Sequence, residues 1–127
     1  MNIRIATIKD LDAVTAVEAE CFPPAEAATR EELEERLTYY ADHFWLMFDG
    51  DKLIAFVDGF VTDEEDLTDE MYAKADLHNE DGAWQMIFGV NTIPAYRKHG
   101  YAGELLKCAI EDARTVSYTH LTLPTKA

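Results

Sequence analysis

The stretch from Trp84 to Arg114 constrains the fold more than any other part of the chain. Trp84-Gln85-Met86-Ile87-Phe88-Gly89-Val90-Asn91-Thr92 is rich in bulky apolar residues, as a buried strand requires, and Gly89 marks a bulge position within it. Pro94 ends the strand. Beyond it Leu105, Leu106, Ala109, Ile110 and Ala113 recur at helical spacing, which predicts an amphipathic helix over residues 100–115. Between strand and helix lies Arg97-Lys98-His99-Gly100-Tyr101-Ala102. A strand turning directly into a helix aims the unpaired amides of the first helical turn at one point, which suits an anion. Gly100 permits close backbone approach, Ala102 keeps the helix start uncrowded, and Arg97 and Lys98 add positive charge. An ordinary strand-to-helix turn with solvated basic residues fits the same spacing.

The preceding residues supply a single domain around this segment. Residues 3–6 alternate as a short strand does, and Thr7 stands three residues before Asp10, a capping-box spacing that opens a helix over 10–21. Leu11, Val14, Val17 and Cys21 give that helix one apolar face, with Asp12, Glu18 and Glu20 assigned elsewhere. Thr29 and Glu32 repeat the capping box ahead of a second helix over 29–41, whose face is Leu33, Leu37 and Tyr40. The runs at 43–49 and 52–61, joined through Asp49-Gly50-Asp51-Lys52, read as a hairpin. From Thr62 to Glu80 the pattern fails around an acidic cluster at 63–70, which predicts a long loop with room for one helical turn.

Charge narrows the partners. Among 127 residues, 25 are acidic and 11 are Lys or Arg, a net charge of −14. Such a surface repels phosphate backbones and anionic lipids, so neither nucleic acid nor a membrane is expected as a partner, whereas cationic amines gain. No basic-then-apolar leader and no apolar run of spanning length appears, so a soluble, cytoplasmic protein is expected. Cys21 and Cys108, and the four histidines, stand in no metal-ligand spacing, and no metal is expected.

The Arg97-x-x-Gly100-x-Ala102 motif, with the strand before it and the helix after it, resembles the phosphate motif of the GCN5-related N-acetyltransferase (GNAT) superfamily. The order of elements over residues 1–116 is similar too. The resemblance implies an α/β (α+β) fold, a mixed, mostly antiparallel sheet flanked by helices. It implies acetyl-CoA as co-substrate, held by its pyrophosphate on the backbone of Arg97, Lys98, His99, Gly100, Tyr101 and Ala102. Its thioester carbonyl would meet a backbone amide within Val90, Asn91 and Thr92. The reaction implied is direct transfer of an acyl group to a small primary amine. The loop from Cys21 to Thr29 resembles that of the arylalkylamine branch, where it borders the amine pocket, so Glu26 is the candidate substrate-facing carboxylate, with a solvated loop acid as the alternative. That branch often carries two histidines on the fourth strand, and Gln85–Phe88 has none. His78 is the candidate replacement for the missing base, with an exposed loop histidine as the alternative.

The superfamily continues past this helix with a fifth strand, which splays from the fourth to admit the pantetheine, then a helix and a hairpin. Most of that is missing here. Residues 116–124 have β propensity that suits a fifth-strand slot, whereas residues 117–125 also resemble a translated sequencing-adapter tail. Residues 1–116 are therefore expected to be a partial acetyltransferase domain and 117–127 a non-native tail. The other reading is a non-catalytic CoA-binding or protein-interaction module, pairing with a second copy through the exposed edge of the fourth strand.

Overall fold

The computed structural model describes residues 1–64 and 68–113 with their side chains, and the backbone of 114–115 and 120–122. Its strands are β1 (Asn2–Ile5), β2 (Phe44–Asp49), β3 (Lys52–Asp58), β4 (Val61–Thr62), β5 (Trp84–Met86), β6 (Gly89–Thr92) and β7 (His120–Thr122). Its helices are α1 (Leu11–Cys21), α2 (Arg30–Tyr40), α3 (Asp69–Ala73) and α4 (Tyr101–Thr115). Both capping boxes form, with Thr7 against Asp10 and Thr29 against Glu32.

Four strands form one antiparallel sheet in the order β1-β2-β3-β6, and three form a second in the order β4-β5-β7. Alternation along the strands separates the helices onto two faces. Trp45 donates its indole N–H to Asp112 of α4 at 2.6 Å, and its strand partner Val57 shares that face. On the other face Phe44, Phe56 and Phe60 are fully buried, beneath α1 and α2. Each such ring contributes roughly 1.5–3 kcal/mol of burial free energy.

The apolar runs 52–61 and 84–92 each break in two, and the cause is a bulge. Asp58 pairs with Gly89, a position sum of 147, whereas Val61 pairs with Gln85, a sum of 146, so the second strand carries one extra residue. Phe88 N–H reaches the Asp58 carbonyl at 2.7 Å, so Phe88 and Gly89 both face Asp58. Gly59 makes the crossing tight: a Cβ there would sit 1.6 Å from the Met86 carbonyl oxygen. The expected bulge at Gly89 is therefore present, and it divides the expected single strand 84–92 into β5 and β6.

Two expectations need correction. Residues 62–80 are more ordered than a loop: Val61–Thr62 pairs with Trp84–Gln85, α3 and a 3-10 turn at Ala75–Leu77 follow, and only 65–67 of the acidic cluster fall outside the described residues. The backbone of His120–Thr122 pairs parallel with Trp84–Met86, so the fourth-strand edge proposed for a second copy is covered at β5. No strand flanks β6 on its outer side among the described residues, so the sheet parts at the bulge. No helix among them is long and apolar enough to cross a membrane.

Candidate active site

The open edge of β6 is where backbone amides become available. Ile93 N–H bonds the Ile54 carbonyl at 3.0 Å, and an antiparallel ladder alternates, so Gly89, Asn91 and Ile93 direct their amides at β3 while Val90 and Thr92 direct theirs outward. Of the three residues expected to meet a thioester carbonyl, Val90 and Thr92 thus have an amide to offer, and Asn91 is left to act through its side chain. A groove of about 310 Å³ borders these amides, walled by Cys21, Phe22 and Arg97. Burial pushes the Cys21 thiol pKa up, although the Arg97 guanidinium bonded to it pulls the other way.

Beyond β6 a 3-10 turn at Pro94–Tyr96 leads to the expected anion loop. Lys98 has φ 67° and Gly100 φ 80°, so the turn passes twice through the left-handed region. A Cβ on Gly100 would meet nothing within 4 Å, which makes its backbone conformation and open face the reasons for glycine here. The first helical bond is Glu104 N–H to the Gly100 carbonyl at 3.1 Å, so the amides of Tyr101, Ala102 and Gly103 lack intrahelical acceptors. Arg97 does not extend toward this turn: its Nε–H donates to the Thr92 carbonyl at 2.8 Å. Lys98, His99 and Gly100 are exposed.

On the α1 and α2 side of β6 lies a cavity of about 470 Å³ bounded by the 22–28 loop, α3 and the bulge. Five carboxylates line it, Glu18, Glu26, Glu32, Asp58 and Asp69, against the single guanidinium of Arg36. Glu26 stands exposed on the rim, while Phe22, Tyr72 and Phe88 supply apolar wall. Three of the charged groups are buried, and sequence patterning missed all three. Glu18 accepts from Ala28 N–H at 2.8 Å and from Asn91 Nδ2 at 2.7 Å, tying α1 to the loop and to β6. Arg36 donates to Asp58 at 3.3 Å and to the Tyr72 carbonyl at 2.9 Å, with side chains only 7% and 3% exposed in the ion pair. Burial pushes the Asp58 carboxyl up to about 6, against the pull of Arg36. Helical spacing held the available signals: Glu18 stands four residues after Val14 and Arg36 three after Leu33, each on the apolar face.

His78 lines neither cavity. Its side chain is 7% exposed, packed on Tyr40, Phe60 and His43, rather than lying free in a loop. Burial holds its pKa below the usual histidine value. Two of the four histidines scattered in sequence meet in space, for the ligand atoms of His43, His78 and Glu80 lie within 4.8 Å of one another. Val61 N–H donates to His78 Nδ1 at 3.0 Å, so Nε2 keeps the ring proton and gives it to Glu80 at 2.9 Å.

The split sheet thus brings together outward amides on β6, the unpaired amides that open α4 and an acidic cavity beside the bulge. The sequence profile of the acetyltransferase (GNAT) family matches residues 11–127, and the chain belongs to that family. Among solved structures, the GphF GNAT-like decarboxylase in complex with isobutyryl-CoA is 29% identical with a TM-score of 0.80, over 90% of this chain and 60% of that one. The loading GNATL domain of CurA from Lyngbya majuscula is 22% identical with a TM-score of 0.79, over 88% and 57%. A predicted acetyltransferase with acetyl-CoA from Clostridium acetobutylicum is 18% identical with a TM-score of 0.70, over 98% and 80%. This chain thus spans less than two thirds of the first two. Among curated proteins, none matches the sequence.

Proposed function

We propose that this protein is an acyl-CoA-dependent N-acyltransferase, with acetyl-CoA as co-substrate, that acylates a small, cationic primary amine by direct transfer within a ternary complex, in the cytoplasm. The observation that carries the reading is the acidic cavity beside β6, which shares Phe22 and Asn91 with the groove that borders the outward amides. An ammonium is drawn to five carboxylates, and its nitrogen is then delivered beside Val90 and Thr92. A tetrahedral oxyanion at the thioester carbon would be stabilised by one of those amides, held in place by the β3 ladder before the reaction starts. The pyrophosphate would rest on the Gly100–Gly103 amides, where the exposed Gly100 face leaves room for it. Glu26, on the rim, would meet the distal part of a polyvalent amine.

A second reading, decarboxylation of a carboxyacyl-CoA, is favoured by the 29% identity to GphF. The cavity opposes it, because its one guanidinium is already paired with Asp58. A third, a CoA-binding or pairing module without turnover, shares the anion loop. Thiol release from acetyl-CoA with phenethylamine, spermidine or an acidic amino acid, run beside carbon dioxide release from malonyl-CoA, separates the three. Amine-dependent thiol release, fastest with the cationic acceptors, is expected. Equal rates with the acidic acceptor would remove electrostatic selection, and carbon dioxide without thiol release would establish the decarboxylase.

A further inference from the structure

Two oxygens that carry no hydrogen converge over Gly89. A Cβ built on that residue would lie 3.0 Å from Asn91 Oδ1 and 3.2 Å from Asp58 Oδ1, so both acceptors border the space the glycine leaves open. That space belongs to the acidic cavity. The orientation of the Asn91 amide is fixed chemically, because its Nδ2 donates to the Glu18 carboxylate at 2.7 Å and its oxygen must then be the atom facing Gly89. Asn91 is 2% exposed, and Oδ1 has no hydrogen-bond partner. A buried acceptor left without a donor costs about 1–3 kcal/mol, so the arrangement calls for an N–H or O–H guest. Asp58 directs Oδ2 at Arg36, which leaves Oδ1 for the same guest.

We propose that Asp58 and Asn91 form the seat of the substrate ammonium above Gly89, and that Asp58 takes its proton. The inference deepens the transferase reading and rests on it for the proton step. Two acceptor oxygens on the same side of Gly89 suit an R–NH3⁺ head, while Phe22, Tyr72 and Phe88 suit an alkyl or aryl stem. Gly89 immediately precedes Val90, so the nitrogen would sit next to the amide that receives the carbonyl oxygen. The charged and titratable groups around Asp58 are Arg36 and Tyr40 from α2, Glu18 from α1 and Tyr72 from α3. With its carboxyl near 6, Asp58 is mostly ionised at neutral pH yet far more basic than a surface aspartate. One N–H bond of the ammonium breaks and its proton moves to Asp58. The freed lone pair bonds to the thioester carbon, whose C=O pair moves onto oxygen. Collapse breaks the C–S bond, and a second amine proton ends on the thiolate, giving amide and CoA thiol. Asp58 returns its proton to solvent.

Calorimetric titration of the full chain with phenethylammonium chloride, and with the neutral phenethyl alcohol of the same shape, tests the seat without turnover. The ammonium should bind at least about tenfold more tightly than the alcohol. Gly89→Ala places a methyl between the two oxygens without removing a charge, and Asp58→Asn removes the charge while keeping the shape. Each should weaken ammonium binding about tenfold or more, leave acetyl-CoA binding within about twofold, and, for Asp58→Asn, remove the rise of rate through pH about 6. Because Asp58→Asn also unpairs Arg36, Gly89→Ala is the deciding variant, its folding checked by thermal melt. Equal binding of ammonium and alcohol, or unchanged ammonium binding in Gly89→Ala, overturns the seat. Ammonium binding as expected with no amine-dependent thiol release would leave the seat standing and overturn the transferase reading. Turnover with both variants equal to the parent would do the reverse.

Discussion

Asp58 follows the apolar run 53–57 at the end of β3, and its burial couples its ionisation to folding. Its carboxyl is raised to about 6, chiefly by burial. The folded state therefore binds a proton more tightly than the unfolded chain, and stability contributed by the neutral form is lost as pH rises from about 4 through 6. Two pH units correspond to about 3 kcal/mol. The unfolding free energy of the parent minus that of Asp58→Asn, from urea titrations at pH 4 and pH 7, should fall by about that amount toward pH 7. A difference independent of pH would show that Asp58 titrates as a surface acid. Legibility at this scale is uneven. The anion-loop residues could be read because glycine and proline punctuate that turn, whereas Glu18, Arg36 and Asp58 look like ordinary surface charges until the fold shows what they face. Pattern reasoning assigns a lone charge to solvent, and three partners from three different elements are needed to reverse that assignment.

At the scale of elements, both capping boxes and α4 follow from local chemistry and were legible. The division of two strands was not, because a bulge depends on which residues face each other across the ladder. Gly59 is the clearest local mark of the division. Gly59→Ala would push a methyl into the Met86 carbonyl, backbone against backbone, so neither side chain rotation nor a small shift relieves it. A loss of several kcal/mol in urea denaturation is expected, in the range of severe core substitutions. A loss below about 0.5 kcal/mol would mean the two strands part more loosely than the geometry requires. The turn before α4 should behave oppositely. The Cβ of Gly100→Glu meets no neighbour, so its main cost is the left-handed φ, about 1 kcal/mol of stability, yet its carboxylate would stand where we propose the pyrophosphate rests. Retained folding with lost acetyl-CoA binding by calorimetry is the expected pair of results. A folded Gly100→Glu that binds as tightly as the parent would remove the phosphate role from this loop.

The whole molecule raises the question of what residues past α4 contribute. We propose that 117–127 are not native to the domain, although the backbone of His120–Thr122 pairs with β5. An open strand edge recruits any β-prone segment that reaches it, since its ladder amides are unselective about side chains. The energetics of a ladder three residues long are also small. Each backbone hydrogen bond of such a ladder contributes on the order of 1 kcal/mol, and fixing each residue costs about 1–2 kcal/mol, so the two nearly cancel. A chain ended at Val116 should therefore melt within a few degrees of the full one and unfold within about 1 kcal/mol of it. Acetyl-CoA binding should also survive, because β7 lies on β5 while the outward amides belong to β6. Parallel thermal melts and calorimetric titrations of the two chains check this. Loss of many degrees together with loss of binding in the shorter chain would make β7 a working fifth strand, and residues 117–127 part of the domain rather than an appendage to it.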